Sequence, residues 1–439
     1  MNSSAGVIPA VAAKQLIWDE ADSRTSPWPV AVVADPLVFI SGILPVDCES
    51  GRVLSGRDEY EGSPLGRAAI ARFSAQIAFL YDRIHAILRR LGASQDDILL
   101  INGWLADFRE WPMMNRIRGR QFSNGNFPPS TTFGIPGVGV DGARALFEAL
   151  AVLPREGLSK QPLGSNRQVG FYYPGSQVGP LIFLAGDVAA DPERGLIVRG
   201  YDDLGPAGAS LASGQLGPDG WEGPIRAQSW FIYERIRTLL EGAESSLQRI
   251  LKQTIYLRDP RDLPAFAEIS RSVFGDRLPP TTVVQVDDYG RREFLVEIEV
   301  TAATAATDVR LISIRPEAAA AGSQAGPFIF FSGLLGIDPA TSEVTHGAPG
   351  VDSQSELAAL QTGYIYDQAA ALLADEGLDI SSLVRQVVYY ADPAVRSSIE
   401  RVAAARTRKS PPATTFVPVR SLWPAPAQVL IDFTVVRER

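Results

Sequence analysis

The sequence predicts an α/β chain of the α+β kind, built from three tandem β-β-α-β-α-β-β units. Three observations predict it. Four short signatures recur in the same order three times, which is the mark of a repeat architecture. One of them has apolar residues at helical spacing, and the others have strand composition bounded by turn residues. The units are assigned to 1–157, 158–305 and 306–439, with their patterned parts at Ala31–Pro154, Tyr173–Ala303 and Ile312–Arg437.

The first signature is a strand ending in glycine: Phe39-Ile40-Ser41-Gly42, Phe183-Leu184-Ala185-Gly186 and Phe330-Phe331-Ser332-Gly333. A turn opening with Asp47, Asp191 or Asp338 follows. The second is a helix headed by Gln76, Gln228 or Gln361, with Tyr81-Asp82, Tyr233-Glu234 or Tyr366-Asp367 five residues on. Ile77, Leu80, Ile84, Ile87 and Leu88 recur at helical spacing and predict one buried face. Gly92, Gly242 and Gly377 then stand where a left-handed cap is expected.

The third signature is a β-rich run ending in aspartate: Ile98–Asp107, Ile250–Asp259 and Leu383–Asp392. A helical segment, clearest at Leu263–Phe274, leads to the fourth. That is Pro128-Pro129-Ser130-Thr131-Thr132, Pro279-Pro280-Thr281-Thr282 or Pro411-Pro412-Ala413-Thr414-Thr415. Closing strands are expected at Ala145–Val152, Phe294–Ala302 and Gln428–Val436. Arg155–Arg167 and Thr304–Val309 read as linkers, and Gly205–Gly223 as an insertion without periodicity.

Composition narrows the function. A net charge of −9 and a pI near 5.0 argue against a nucleic-acid partner, which usually meets a basic patch. No apolar run approaches the ~18 residues of a membrane span, and Met1–Leu16 lacks the pattern of a signal peptide. A cytoplasmic location is expected. One cysteine, Cys48, and two histidines, His85 and His346, exclude disulfides and the usual zinc sites, so no metal or other cofactor is expected. Cys48 has no basic neighbour to activate it, and His85 reads as a partly exposed helix residue. The recurring Tyr-Asp/Glu pairs read as packing or interface features.

The four signatures and the closing Leu295-Val296-Glu297-Ile298-Glu299 resemble the RidA (YjgF) family over most of the chain, in three pieces. The resemblance implies chorismate-mutase-like units and, since family members are homotrimers with clefts between subunits, an intramolecular pseudo-trimer that is self-contained or dimerises. It also implies a small-molecule substrate. Imine deaminases of the family hydrolyse enamines and imines to ketones and ammonia. They use an arginine in a Pro-Ala-Arg-Thr/Ser segment and a glutamate on the last strand.

Here the arginine position reads as Ser130, Pro280 (one residue short) and Ala413, none of which can grip a carboxylate as arginine does. The glutamate reads as Glu148 and Glu297, with Leu430 in the third unit and Asp432 two residues on. Glu148 and Glu297 are therefore the catalytic candidates, as general bases or water-orienting groups. Ser41, Gly42, Asn115, Ser130, Thr131, Thr281, Arg144 and Arg292 are the substrate-binding candidates. Asn115 matches the family's helix asparagine, where the second unit has Ala267. Arg144, Arg291, Arg292 and Arg420 lie where an arginine could take over the lost grip. The threonines read equally as strand residues, and the glutamates as ordinary strand carboxylates.

Two classes of function remain. One is hydrolysis of a C–N bond in a small metabolite, by deamination or ring opening. The other is metabolite binding without turnover, which the missing arginine favours. The Ser–Lys chemistry of the three-repeat cyanuric acid hydrolase and barbiturase group has no support, since Lys14, Lys160, Lys252 and Lys409 do not repeat in place. Endoribonuclease activity, also associated with the family, is disfavoured by the acidic charge.

Overall fold

Three buried glutamines organise the helices on the sheets. Gln76, Gln228 and Gln361 are each 0% exposed, and a buried amide must find partners for both its donor and its acceptor. Gln76 donates to the carbonyls of Leu54 and Gly142 (3.0 Å each) and accepts from Arg144 N (2.9 Å). Gln228 does the same with Val198, Glu293 and Leu295 N. Gln361 does it with Thr345, Pro426 and Gln428 N. The signature thus pins each first helix to the loop before it and to the start of its closing strand.

The structure, a computed structural model, describes residues 11, 13–19, 26–47, 49–55, 68–122, 124–165, 171–312, 319–338, 341, 343–347, 350, 351 and 353–438. Cys48 and most of the N-terminal segment considered above lie outside the described residues. The first sheet comprises β1 (Gln15–Ile17), β2 (Ala31–Ala34), β3 (Leu37–Ile43), β4 (Ile98–Leu105), β5 (Ser130–Gly134) and β6 (Ala145–Val152). Its spatial order is β1-β2-β3-β6-β4-β5. Helices α1 (Ala68–Arg90) and α2 (Trp111–Gln121) belong to it. The crossover through α2 makes β4 and β5 parallel, while β6 pairs antiparallel with β3 and β4.

The second sheet comprises β7 (Gln161–Leu163), β8 (Gly175–Val178), β9 (Leu181–Val188), β12 (Ile250–Leu257), β13 (Thr281–Gln285) and β14 (Val296–Ala303). A small ribbon of β10 (Ala190–Asp191) and β11 (Leu196–Ile197) follows β9. Its helices are α3 (Pro206–Leu211), α4 (Leu216–Trp221), α5 (Gly223–Glu241) and α6 (Leu263–Phe274). The third sheet comprises β15 (Arg310–Ile312), β16 (Gly322–Ala325), β17 (Phe328–Phe331), β18 (Leu334–Leu335), β19 (Leu383–Tyr390), β20 (Ala413–Pro418) and β21 (Val429–Val436), with α7 (Gln354–Asp375) and α8 (Arg396–Thr407). The six corresponding strands take the same spatial order in all three sheets, and β18 adds to β21.

The helices cover one face of each sheet, with edge contacts such as Tyr81 on Phe147 (5.2 Å) and Tyr366 on Phe433 (5.6 Å). The opposite faces meet in one shared apolar core. Phe39 and Leu99 from the first sheet, Phe183 and Leu251 from the second, and Phe330 and Val384 from the third belong to it. Neighbouring sheets are also stitched by hydroxyls. Ser176 Oγ donates to Leu99 O (2.6 Å) and Ser323 Oγ to Leu251 O (2.5 Å).

Four expectations are corrected. The short strands β1, β7 and β15 precede or overlap the expected unit starts, and β7 lies inside a presumed linker; three residues are too few to show a period. The insertion at Gly205–Gly223 forms α3 and α4, whose six residues each are too short to declare themselves. His85 is buried (6% exposed) against Phe122, and burial lowers its pKa to about 4, so it is a neutral core side chain. Gly92 and Gly377 have the expected positive φ, but Gly242 is right-handed and Glu244 (φ 54°) occupies the place of Gly92 and Gly377. The matching 6→1 bonds, Ala93 N to Leu88 O, Ser245 N to Leu240 O and Leu378 N to Leu373 O, establish that equivalence.

A left-handed conformation costs a residue with a Cβ about 1–2 kcal/mol. Replacing Glu244→Gly should therefore raise stability by about 1 kcal/mol, read as a higher urea midpoint. The change leaves the Ala305 N to Glu244 O bond in place.

Candidate functional site

The seams between sheets explain two signatures at once. A Cβ added at Gly42 would lie 2.8 Å from Thr415 Cγ2, at Gly186 2.8 Å from Thr131 Cγ2, and at Gly333 2.9 Å from Thr282 Oγ1. Each first-signature glycine is thus the floor on which a threonine from a neighbouring sheet sits. Gly186 N donates to Thr131 Oγ1 (2.9 Å), while Ser41 Oγ and Ser332 Oγ accept from Thr414 N and Thr281 N (3.0 Å each). Gly42, expected to bind substrate, has a steric role at this seam.

The same threonines hold the closing-strand carboxylates. Thr415 Oγ1 donates to Glu148 (2.6 Å), Thr131 Oγ1 to Glu299, and Thr282 Oγ1 to Asp432 (2.5 Å). The donor always belongs to one sheet and the carboxylate to the next, so the three bonds close a ring. Strand register confirms the set: Leu105 pairs with Ala145, Leu257 with Val296 and Tyr390 with Val429, which aligns Glu148 with Glu299 and Asp432. Glu297 aligns instead with Leu146 and Leu430. The pairing of Glu148 with Glu297 is therefore corrected by two residues. By the same ladders the family's arginine position is Ser130, Thr281 and Thr414, in place of Pro280 and Ala413.

Glu148, Glu299 and Asp432 line a central cavity of about 70 Å³, together with Asn102, Lys252 and Arg385. Lys252 Nζ meets Asp432 at 2.7 Å, and Arg385 meets Glu148. Burial lowers the Lys252 pKa, with Asp432 opposing that shift. Glu299 is half-buried beside the cavity, and burial raises its pKa to about 7 despite its bond from Thr131. Lys252, Glu299 and Arg385 were not singled out from the sequence. A signal existed: Thr131, Thr282 and Thr415 each precede the closing-strand carboxylate of their own sheet by the same interval.

The other expected site residues are dispersed. Ser41 and Gly42 open, with Thr414 and Phe416, onto a cleft of about 420 Å³ between the first and third sheets, also lined by Leu146, Arg83 and Arg396. Thr281 lies at the seam of the second and third sheets. Ser130 accepts from Arg118 Nη2 (2.7 Å), and Arg118 Nε donates to Tyr81 Oη (2.9 Å). Arg118, only 2% exposed, thus brings a guanidinium to the strand position where the family's arginine is missing. Asn115, one turn before it on α2, is 4% exposed, and neither amide atom has a partner. The expected replacements do not serve. Arg144 is engaged by Glu110 (2.8 Å), Arg420 by Asp287 (2.7 Å), and Arg292 is exposed and receives Arg258 on its carbonyl.

Glu297 lies at the seam of the first and second sheets. It is 5% exposed, and a Cβ at Gly186 would collide with its Oε1. Burial pushes its pKa well above the usual carboxylate range, and Glu299 and Asp187 add to the rise. Beside it, Asp187 is ion-paired to Arg235 (3.2 Å). A buried carboxyl whose pKa is raised, at the edge where two sheets meet, is equipped for proton transfer.

Carboxyls with raised folded pKa values bind protons more tightly folded than unfolded. Their contribution is present at low pH and is lost as pH rises through the folded value. For Glu299 the window runs from ~4.5 to about 7. The urea midpoint should fall between pH 5 and pH 8, and Glu299→Gln should flatten that fall; an unchanged slope would exclude Glu299 as its source.

A family model described as endoribonuclease L-PSP matches residues 207–304. A RutC family protein of Pyrococcus abyssi is 29% identical over 136 residues, 31% of this chain and 88% of the relative. Protein DfrA of Myxococcus xanthus is 32% identical over 124 residues, 28% of this chain and 87% of the relative. The crystal structure of a YjgF/YER057c/UK114 family member from Mycobacterium tuberculosis, 23% identical with a TM-score of 0.25, covers 33% of this chain and 100% of its own. Among the described residues no helix is long and apolar enough to cross a membrane. The chain belongs to the RidA/YjgF family, whose model carries the description endoribonuclease L-PSP.

Proposed function

We propose that the chain is a covalent pseudo-trimer of three RidA-like units, and that it hydrolyses a C–N bond of a small metabolite at the seam of the first and second units. The assembly is supported by the closed ring of threonine–carboxylate bonds and by relatives that each match about a third of the chain. The observation that carries the chemistry is Glu297: a buried carboxyl with a raised pKa, at the one seam of the three where this register position is acidic.

For an enamine or imine, Glu297 delivers its proton to the enamine carbon or the imine nitrogen as water adds to the C=N carbon. The carboxylate then takes a proton from the added water, and collapse releases ammonia and the ketone. Asn115, Ser130 and Thr132 on the first-unit side, with Asp187 and Arg235 on the second, supply polar contacts for orientation. Arg118, held by Tyr81, fixes the Ser130 hydroxyl and replaces the missing arginine as the seam's positive charge.

A second reading, binding without turnover, is favoured at the other seams. Their equivalents of Glu297 are Leu146 and Leu430, so neither has an acid at this position. The cleft at Leu146 nevertheless has room for a ligand, and it is lined by Trp28, whose buried Nε1 has no partner.

Ammonia release from a panel of enamines, imines and cyclic amides tests the proposal. Glu297→Gln should lower turnover by roughly 10²–10⁴-fold, whereas Glu148→Gln, which alters the central cavity, should leave the chemical step largely intact. Wild-type turnover by Glu297→Gln would assign the chemistry elsewhere. No turnover on any substrate, alongside saturable metabolite binding, would support the second reading. Light scattering should give 47.3 kDa or twice that; three times that mass would refute the covalent pseudo-trimer.

A further inference from the structure

The insertion in the second unit presents an apolar knob that its own chain leaves uncovered. On α4, Leu216 is 96% exposed and Trp221 86% exposed. Single apolar side chains on a surface need no explanation, but two large ones on one six-residue helix form a patch. Tryptophan is also among the residue types most enriched as interface anchors. The knob is held in place from below. Asp219 accepts from Ser213 N (2.9 Å), Ser213 Oγ (2.9 Å) and Gly214 N (2.8 Å), and Glu222 pairs with Arg226 (2.6 Å). It is acidic as well: residues 201–225 include Asp202, Asp203, Asp219 and Glu222 and no lysine or arginine.

A groove of about 480 Å³ with the complementary character lies where the first and third units meet. Leu16, Trp18, Pro27 and Pro411 give it apolar walls, and Arg408 and Lys409 stand exposed on it just past the end of α8. Trp18 is itself 37% exposed. The two walls are bolted together. Lys14, just before β1, donates through Nζ to Leu383 O (2.6 Å) and Ser410 O (3.1 Å) of the third unit. The groove is therefore formed before anything enters it, which lowers the cost of binding. On a chain of net charge −9, a positive groove is where a negative surface can approach without repulsion.

We propose that this groove takes the Leu216–Trp221 knob of a second copy of the chain, and that two such contacts about a twofold axis make a reciprocal dimer. Leu216 and Trp221 are exposed within their own chain, so the occupant comes from another molecule. Knob and groove match in both respects that matter, apolar against apolar and acidic against basic, and every copy carries both. Made once in each direction, the contact closes at two copies; made in one direction only, it would propagate into an open chain. None of these residues belongs to the seam chemistry proposed above, so the two readings stand independently.

Sedimentation of the full chain across a concentration series tests this. The mass should move from 47.3 kDa to twice that as concentration rises. One double variant, Leu216→Ala with Trp221→Ala, removes the knob; another, Arg408→Glu with Lys409→Glu, reverses the charge of the groove. All four side chains are exposed, so the core is left intact. Each double variant should weaken self-association by about 30-fold. Mixed in equal amounts, the two should associate more tightly than either does alone, because one keeps the groove and the other the knob. A wild-type chain that stays monomeric at every concentration would overturn the proposal, and so would a mass that grows past two copies. Variants that dimerise as the wild type does, or that gain nothing from being mixed, would overturn it equally.

Discussion

The whole arrangement depends on burying three carboxylates where three sheets converge. Glu148, Glu299 and Asp432 cannot enter an apolar interior unless each is met by donors, because desolvation otherwise outweighs any packing gain. The donors, Thr415, Thr131 and Thr282, all come from a neighbouring sheet. Within its own sheet Glu148 gains only a long bond from Asn102 (3.3 Å), so each carboxylate is completed by a neighbouring sheet. The glycine beneath each threonine and the shared apolar core follow from that demand for close approach.

This constraint separates two kinds of position on the closing strands. Residues two apart point to the same face, yet Glu299 looks into the centre and Glu297 lies out at a seam. The inner position is acidic in all three strands, as a ring of mutual satisfaction requires. The outer position is acidic once and leucine twice. In a homotrimer the outer positions would have to change together. On the proposed reading, a covalent ring lets one seam keep chemistry while the others become apolar clefts.

Much of the fold was legible because its causes are local. The helix period and the strand-ending aspartates that cap the following turns act within a few residues of their own positions, and the buried glutamines, which reach Leu54 and Gly142 or their counterparts, repeat in place. The site was less legible because its register is set across sheets. Matching glutamate to glutamate aligned Glu148 with Glu297, and only the ladders place Glu148 with Glu299. Arg118 was missed for a related reason. It compensates for Ser130 from another element, and its partner Tyr81 looked like a packing residue, as its counterparts Tyr233 and Tyr366 are. Lysines that do not repeat, such as Lys252, argued only against Ser–Lys chemistry, although that break in symmetry makes the three sides of the central cavity unequal.

Mutual completion of the sheets is the central claim, and differential scanning calorimetry tests it most directly. If no sheet is satisfied without its neighbour, the chain should unfold in one transition whose calorimetric and van't Hoff enthalpies agree. Two or three separable transitions, each with the enthalpy of a third of the chain, would show sheets that stand alone and would contradict the account.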